Sequence, residues 1–107
     1  MLNLTDENFE NEIQMAEKPV LVDFYADWCP ACLVIGPILE KIEKEVKEKV
    51  IFARVNINLA PETCGKYGIN PIPILILFRG GKRISEFVGL KPEPEIKSWL
   101  ENQLEGN

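Results

Sequence analysis

A chain of 107 residues, 46% hydrophobic and 27% charged, suits one compact domain, taken as residues 1–107. Its net charge of −5 argues against nucleic acid or an anionic lipid surface as partner, because both are held through clustered Lys and Arg. No apolar run approaches the ~20 residues of a membrane-spanning helix, and the opening "MLNLTDENFENE" lacks the basic and apolar regions of a signal peptide, so a cytoplasmic location is expected.

Leu2 to Leu4 reads as a short edge strand. Thr5 is a good N-cap for a first helix over about 6–16, with Leu4 and Phe9 placed as a hydrophobic staple and Phe9 and Ile13 forming its inner face. "VLVDFY", 20–25, is a nearly continuous apolar run, the pattern of a strand buried on both faces. A long helix over 30–48 follows, with Ile35, Ile38, Leu39, Ile42 and Val46 on one side. Glu40–Lys44, Glu43–Lys47 and Glu45–Lys49 are expected as outer ion pairs. Pro37 inside this helix removes one backbone hydrogen bond and predicts a kink.

"VIFARV", 50–55, is a third strand, and "PETCGKYG", 61–68, a short helix closed by glycine. Residues 74–78 and 83–88 flank "RGGK", a hairpin signal. A last helix over 93–104 carries Ile96, Trp99, Leu100 and Leu104 on one face. The order βαβαβαββα predicts an α/β fold. Its mixed central sheet is parallel where helices cross over, antiparallel at the final hairpin, and covered by helices on both faces.

The chain has three cysteines and no histidine. Cys29 and Cys32, in "DWCPAC", lie where the second strand gives way to the long helix. There the unpaired amides and the helix dipole favour an anion, which lowers a thiol's pKa and marks Cys29 as a nucleophile. Cys32, one turn further, is within disulfide reach and more buried, which suits it to the resolving role. Structural zinc usually takes four Cys or His ligands, and the remaining Cys64 lies elsewhere. A permanent structural bridge would close a very short loop, with little effect on the unfolded chain. Neither metal nor cofactor is expected.

Asp23 sits within the apolar strand, where burial should raise its pKa; the alternative is a solvent-facing place at the strand end. Trp28 is either core or a half-exposed lid beside the disulfide. Trp99, Tyr67 and Phe78 read as packing. Cys64 either fills a small slot on the third helix or serves as a regulatory or dimer-forming thiol.

"VDFYADWCPAC" followed by an internal proline, then "KYGINPIPILILFRGGK" and "FVGL", resembles thioredoxin in order and spacing across essentially the whole chain. The resemblance implies the thioredoxin fold. It implies a protein-disulfide reductase working by dithiol–disulfide exchange on disulfide-containing proteins and recharged by a thioredoxin reductase. It implies that Asp23 is the general base for Cys32. It further implies that Pro73 is a cis-proline beside the disulfide, and that Ile72 offers its backbone to an extended substrate segment. Trp28, Pro30 and Ala31 would form the adjoining substrate rim. Gly89 would leave room for substrate backbone, or simply serve a turn. Arg54 stands where the family commonly has a lysine facing the buried aspartate; it either tunes Asp23 or lies at the surface. A monomer is the default state.

Two departures stand out. Pro30-Ala31 replaces the family's Gly-Pro, deleting an amide beside Cys29 and creating one at Ala31, which is expected to point at the sulfur. Such a bond to a charged acceptor is worth roughly 1.5–3 kcal/mol and would lift the potential some tens of millivolts above thioredoxin's roughly −270 mV. Leu33 replaces a commonly basic residue, making the rim more apolar. Cys-Pro-x-Cys also occurs in glutaredoxins and disulfide-forming oxidases. The alternatives are therefore a glutathione-linked reductase, an oxidase or isomerase, or a non-catalytic binding module.

Overall fold

The computed structural model describes residues 1–105. Five strands form one sheet: β1 (Leu2–Leu4), β2 (Val20–Tyr25), β3 (Ile51–Asn56), β4 (Ile74–Arg79) and β5 (Lys82–Val88), in the order β1-β3-β2-β4-β5. β1 and β2 run parallel to β3, whereas β4 is antiparallel to both β2 and β5. The helices are α1 (Phe9–Met15), α2 (Pro30–Val46), α3 (Pro61–Tyr67) and α4 (Glu93–Glu105), with a 3-10 turn at Ile57–Leu59. The thioredoxin fold expected from the sequence is the fold observed.

Central placement explains the apolar run of β2. Val20, Val22 and Phe24 join Phe9 and Ile13 of α1 in one core, which Tyr67 of α3 edges. Leu21 points the other way, into a second core with Ile35, Leu39 and Ile42 of α2 and Ile96 and Leu100 of α4. The two-residue period of a strand thus feeds two layers at once. Each fully buried Leu or Phe contributes about 1.5–3 kcal/mol through removal from water. Phe9 is the hub of the first core, its ring 5.5–6.2 Å from those of Phe24, Tyr67 and Phe78.

Turn chemistry sets the boundaries. Pro61 begins α3, where its missing N–H is no loss, and Gly68 ends it with φ +63°. Gly80 and Gly81 both have positive φ and close the β4–β5 hairpin, as a two-residue loop requires. Pro37 lies inside α2, which runs on to Val46.

The start of α1 differs from expectation. Its N-cap is Asn8, not Thr5. Thr5 instead enters a turn, accepting from the Phe9 amide at 2.9 Å and donating its own N–H to Asn8 Oδ1 at 2.7 Å. Asp6 is drawn away to α3, where its carboxylate accepts from the amides of Glu62 and Thr63 and from the Thr63 hydroxyl, at 2.7–3.1 Å. It acts as a cap for a helix 55 residues further on in the chain.

The outer charges of α2 also choose differently. None of the three expected i,i+4 pairs forms among the described residues. Glu45 pairs with Lys97 at 2.7 Å and Lys41 with Glu93 at 3.2 Å, both across to α4, and Glu43 meets the N-terminal ammonium at 3.5 Å. α4 lies alongside α2 and presents opposite charges at shorter reach, and Lys49 falls beyond the helix end.

Candidate active site

Cys29 is the N-cap of α2, with extended backbone, and Pro30 takes the first helical position. Its sulfur is joined to that of Cys32, the Cα atoms 5.2 Å apart, within the normal range for a disulfide. The Cys32 amide donates to Cys29 Sγ at 3.2 Å. Cys32 is the third residue of the helix, the position whose amide an N-cap acceptor reaches across a turn. The donor is therefore Cys32 and not Ala31, which corrects the expectation drawn from the Pro30-Ala31 order. With the helix dipole behind it, this amide is placed to stabilise a thiolate on Cys29 once the bond is reduced. Cys32 is the more buried of the two, 2% against 6% exposed.

Asp23 is 1% exposed, and neither carboxylate oxygen has a hydrogen-bond partner among the described residues. It shares the Leu21 face of β2, the face that α2 covers. Burial raises its pKa to about 6, against 3.8 ordinarily, and the positive charge of Arg54 offsets part of that rise. The solvent-facing alternative is thereby set aside. Arg54 is the in-register neighbour of Asp23 on β3 but makes no ion pair with it. Its guanidinium lies over the Tyr25 ring, 4.0 Å from the centroid. Tyr25 in turn packs against Ala26, Cys29 and Cys32. Arg54 thus acts on Asp23 through its field alone.

The Ile72–Pro73 peptide is cis, and Ile72 packs against the disulfide cluster, as does Ala31. The Gly89 amide donates to the Pro73 carbonyl at 2.9 Å. Gly89 has φ at +90°, the region that favours glycine, and no neighbouring side chain or backbone within 4 Å of where a Cβ would stand. Trp28 is 64% exposed, so it is rim rather than core, and more open than the half-exposed lid expected. Leu33 and Val34 continue an exposed apolar surface along the first turns of α2. Trp99 is partly buried, its ring tilted at 50° against that of Phe87 and its indole N–H donating to the Ser85 hydroxyl oxygen.

Cys64 is half-buried, its thiol 3.9 Å from the Ile57 carbonyl. Burial, and secondarily the charge of Asp6, push its pKa up, which makes it a poor nucleophile. Among the described residues no group of three or more His, Cys, Asp and Glu side chains gathers to hold a metal.

Sequence reasoning missed Asn56, at the end of β3. Its Nδ2 donates to Asp27 Oδ2 at 3.3 Å and its Oδ1 accepts from the Asn58 amide at 3.0 Å. The second bond is a local Asn turn, legible in "NIN". The first joins residues 29 apart and has no local signal.

A family model described as Thioredoxin matches residues 1–102. The chain is 40% identical to "Thioredoxin" of Rickettsia bellii over 95% of its own length and 97% of that protein's. It is 40% identical to "Thioredoxin" of Alicyclobacillus acidocaldarius over 97% and 98%, and 36% identical to "Thioredoxin C-2" of Corynebacterium nephridii over 97% and 96%. No helix among the described residues is long and apolar enough to cross a membrane.

Proposed function

The chain belongs to the thioredoxin family, and from that premise we propose that Cys29 is its attacking thiol, Cys32 its resolving thiol and Asp23 the group that takes the Cys32 proton. The protein is a thiol–disulfide oxidoreductase of the protein-disulfide reductase kind. The Cys29 thiolate attacks one sulfur of a partner's disulfide; that S–S bond breaks, the other partner sulfur leaves as thiolate, and a mixed disulfide forms. Cys32 then gives its proton to Asp23 and attacks Cys29 Sγ. The second partner sulfur leaves, and the Cys29–Cys32 bond closes. Two electrons pass from protein to partner.

The observation that supports these roles is the Cys32 amide on Cys29 Sγ at a helix N-terminus, with an unpaired carboxyl buried on the face of the sheet that this helix covers. Ile72 and Pro73, with Gly89, form one side of the substrate rim, and Trp28, Pro30 and Ala31 the other. Disulfide-containing proteins are the substrates, a thioredoxin reductase is the electron donor, and the protein works as a cytoplasmic monomer.

The test is mass spectrometry with a reducible protein such as insulin. Cys32→Ser should accumulate the mixed disulfide on Cys29, and Cys29→Ser should capture nothing and lose all turnover. Capture through residue 32 in Cys29→Ser would reverse the roles.

A further inference from the structure

Cys29 is recessed, so a partner's disulfide reaches its sulfur only when the partner lies on the surrounding surface. Besides Leu33 and Val34 on α2, two strongly exposed apolar side chains stand on segments that flank it, Trp28 and Leu59, the latter 69% exposed. Trp28 immediately precedes Cys29. Leu59 ends the 3-10 turn whose first residue, Ile57, packs against the cluster formed by Ala26, Cys29 and Cys32. One side chain ties the two segments together. Asn56 Nδ2 holds Asp27, the residue before Trp28, and Asn56 Oδ1 holds the amide of Asn58, the residue before Leu59.

We infer that Trp28 and Leu59 form a single apolar docking ledge for the protein substrate, with Asn56 as the positioning residue that sets its two halves. The ledge favours substrates that carry an apolar side chain beside the disulfide. An acidic one is disfavoured, because the exposed Asp27 carboxylate stands next to Trp28 on a chain of net charge −5. The inference rests on Cys29 as the attacking thiol. Leu59 serves no core, since it is the most exposed leucine among the described residues, and a lone exposed leucine gains only when something covers it.

Steady-state reduction of insulin, with the small disulfide dithiobisnitrobenzoate as a probe that does not span the ledge, tests this. Leu59→Ser should raise KM for insulin about three- to tenfold at unchanged kcat and leave the small disulfide unaffected, with Leu59→Met restoring the wild-type value. Asn56→Ser keeps an oxygen near the Asn58 amide but is too short for Asp27. It should raise the insulin KM as well, and the double variant should fall short of the product of the single effects. An active wild type whose insulin KM is unmoved by Leu59→Ser overturns the ledge. So does an equal loss on both substrates, or full multiplication of the two effects. A wild type that reduces neither disulfide overturns the assignment of the thiols, and the ledge with it.

Discussion

Asp23 and Arg54 lie side by side on β2 and β3 yet do not pair: the guanidinium turns to the Tyr25 ring at 4.0 Å, and both oxygens of the buried carboxyl remain without a partner among the described residues. A carboxyl in that position holds its proton more tightly in the folded protein than in the unfolded chain.

Stability should therefore fall as pH rises. Below the ordinary value of 3.8 both states carry the proton; between there and about 6 only the unfolded chain has lost it; above, the folded protein carries a buried charge. The shift of about two units corresponds to about 3 kcal/mol. Asp23→Asn should remove this slope and be more stable than wild type by up to about 3 kcal/mol near pH 8. Urea unfolding of the oxidised protein across pH measures it, and a difference between the two proteins that does not change with pH would contradict it.

Arg54 should be felt in the same curve. Its charge lowers the Asp23 pKa from where burial alone would put it, so Arg54→Gln should move the midpoint of the Asp23-dependent step upward. An unmoved midpoint would mean that the guanidinium, turned to Tyr25, is screened from the carboxyl.

Asp23→Asn should also slow the second chemical step and spare the first. Capture of a partner by Cys29 needs no proton acceptor, whereas release by Cys32 does. General bases typically contribute ~10²–10⁴-fold; thiols ionise readily, so a loss near or below the lower end, about tenfold or more, is expected near neutral pH. Stopped-flow with a protein disulfide separates the phases, and equal slowing of both would remove Asp23 from the resolving step.

Asp6 should matter to folding rather than to catalysis. Burial pushes its pKa up, but the Thr63 hydroxyl and the amides of Thr63 and Glu62 together outweigh this and hold it lowered. Its contribution is present above the ordinary carboxylate pKa and lost as pH falls through the depressed one. Asp6→Ala leaves the start of α3 and the buried Thr63 without their acceptor. Thermal melting should show a lower Tm near neutral pH, and a gap that narrows in acid.

Phe9→Ala should cost about 3–5 kcal/mol, the usual range for emptying a buried aromatic site. The ring is wholly buried among Phe24, Tyr67 and Phe78, so the hole cannot close by movement of one neighbour. A loss under about 1 kcal/mol in urea unfolding would mean that α1 is loosely held.

Features that depend on residues within a turn or two were legible along the chain. The nearly continuous apolar run at 20–25 announced a strand buried on both faces, Gly80-Gly81 a tight hairpin, and Pro61 with Gly68 the two ends of a short helix. Cys29 at a strand-to-helix junction announced a sulfur at a helix N-terminus, and an acid amid apolar neighbours announced the raised pKa of Asp23. What the chain could not state was the choice each polar side chain makes. Asp6 caps a distant helix, Glu45 takes Lys97 over Lys49, Arg54 takes Tyr25 over Asp23, and Asn56 reaches Asp27. Local ion pairs are worth only ~0.2–0.5 kcal/mol each, too little to hold a side chain against better-placed rivals. Backbone pattern and burial are strong, short-range preferences that the sequence itself imposes; polar partnership is a weak one, decided by whichever group the packed layers bring within about 3 Å.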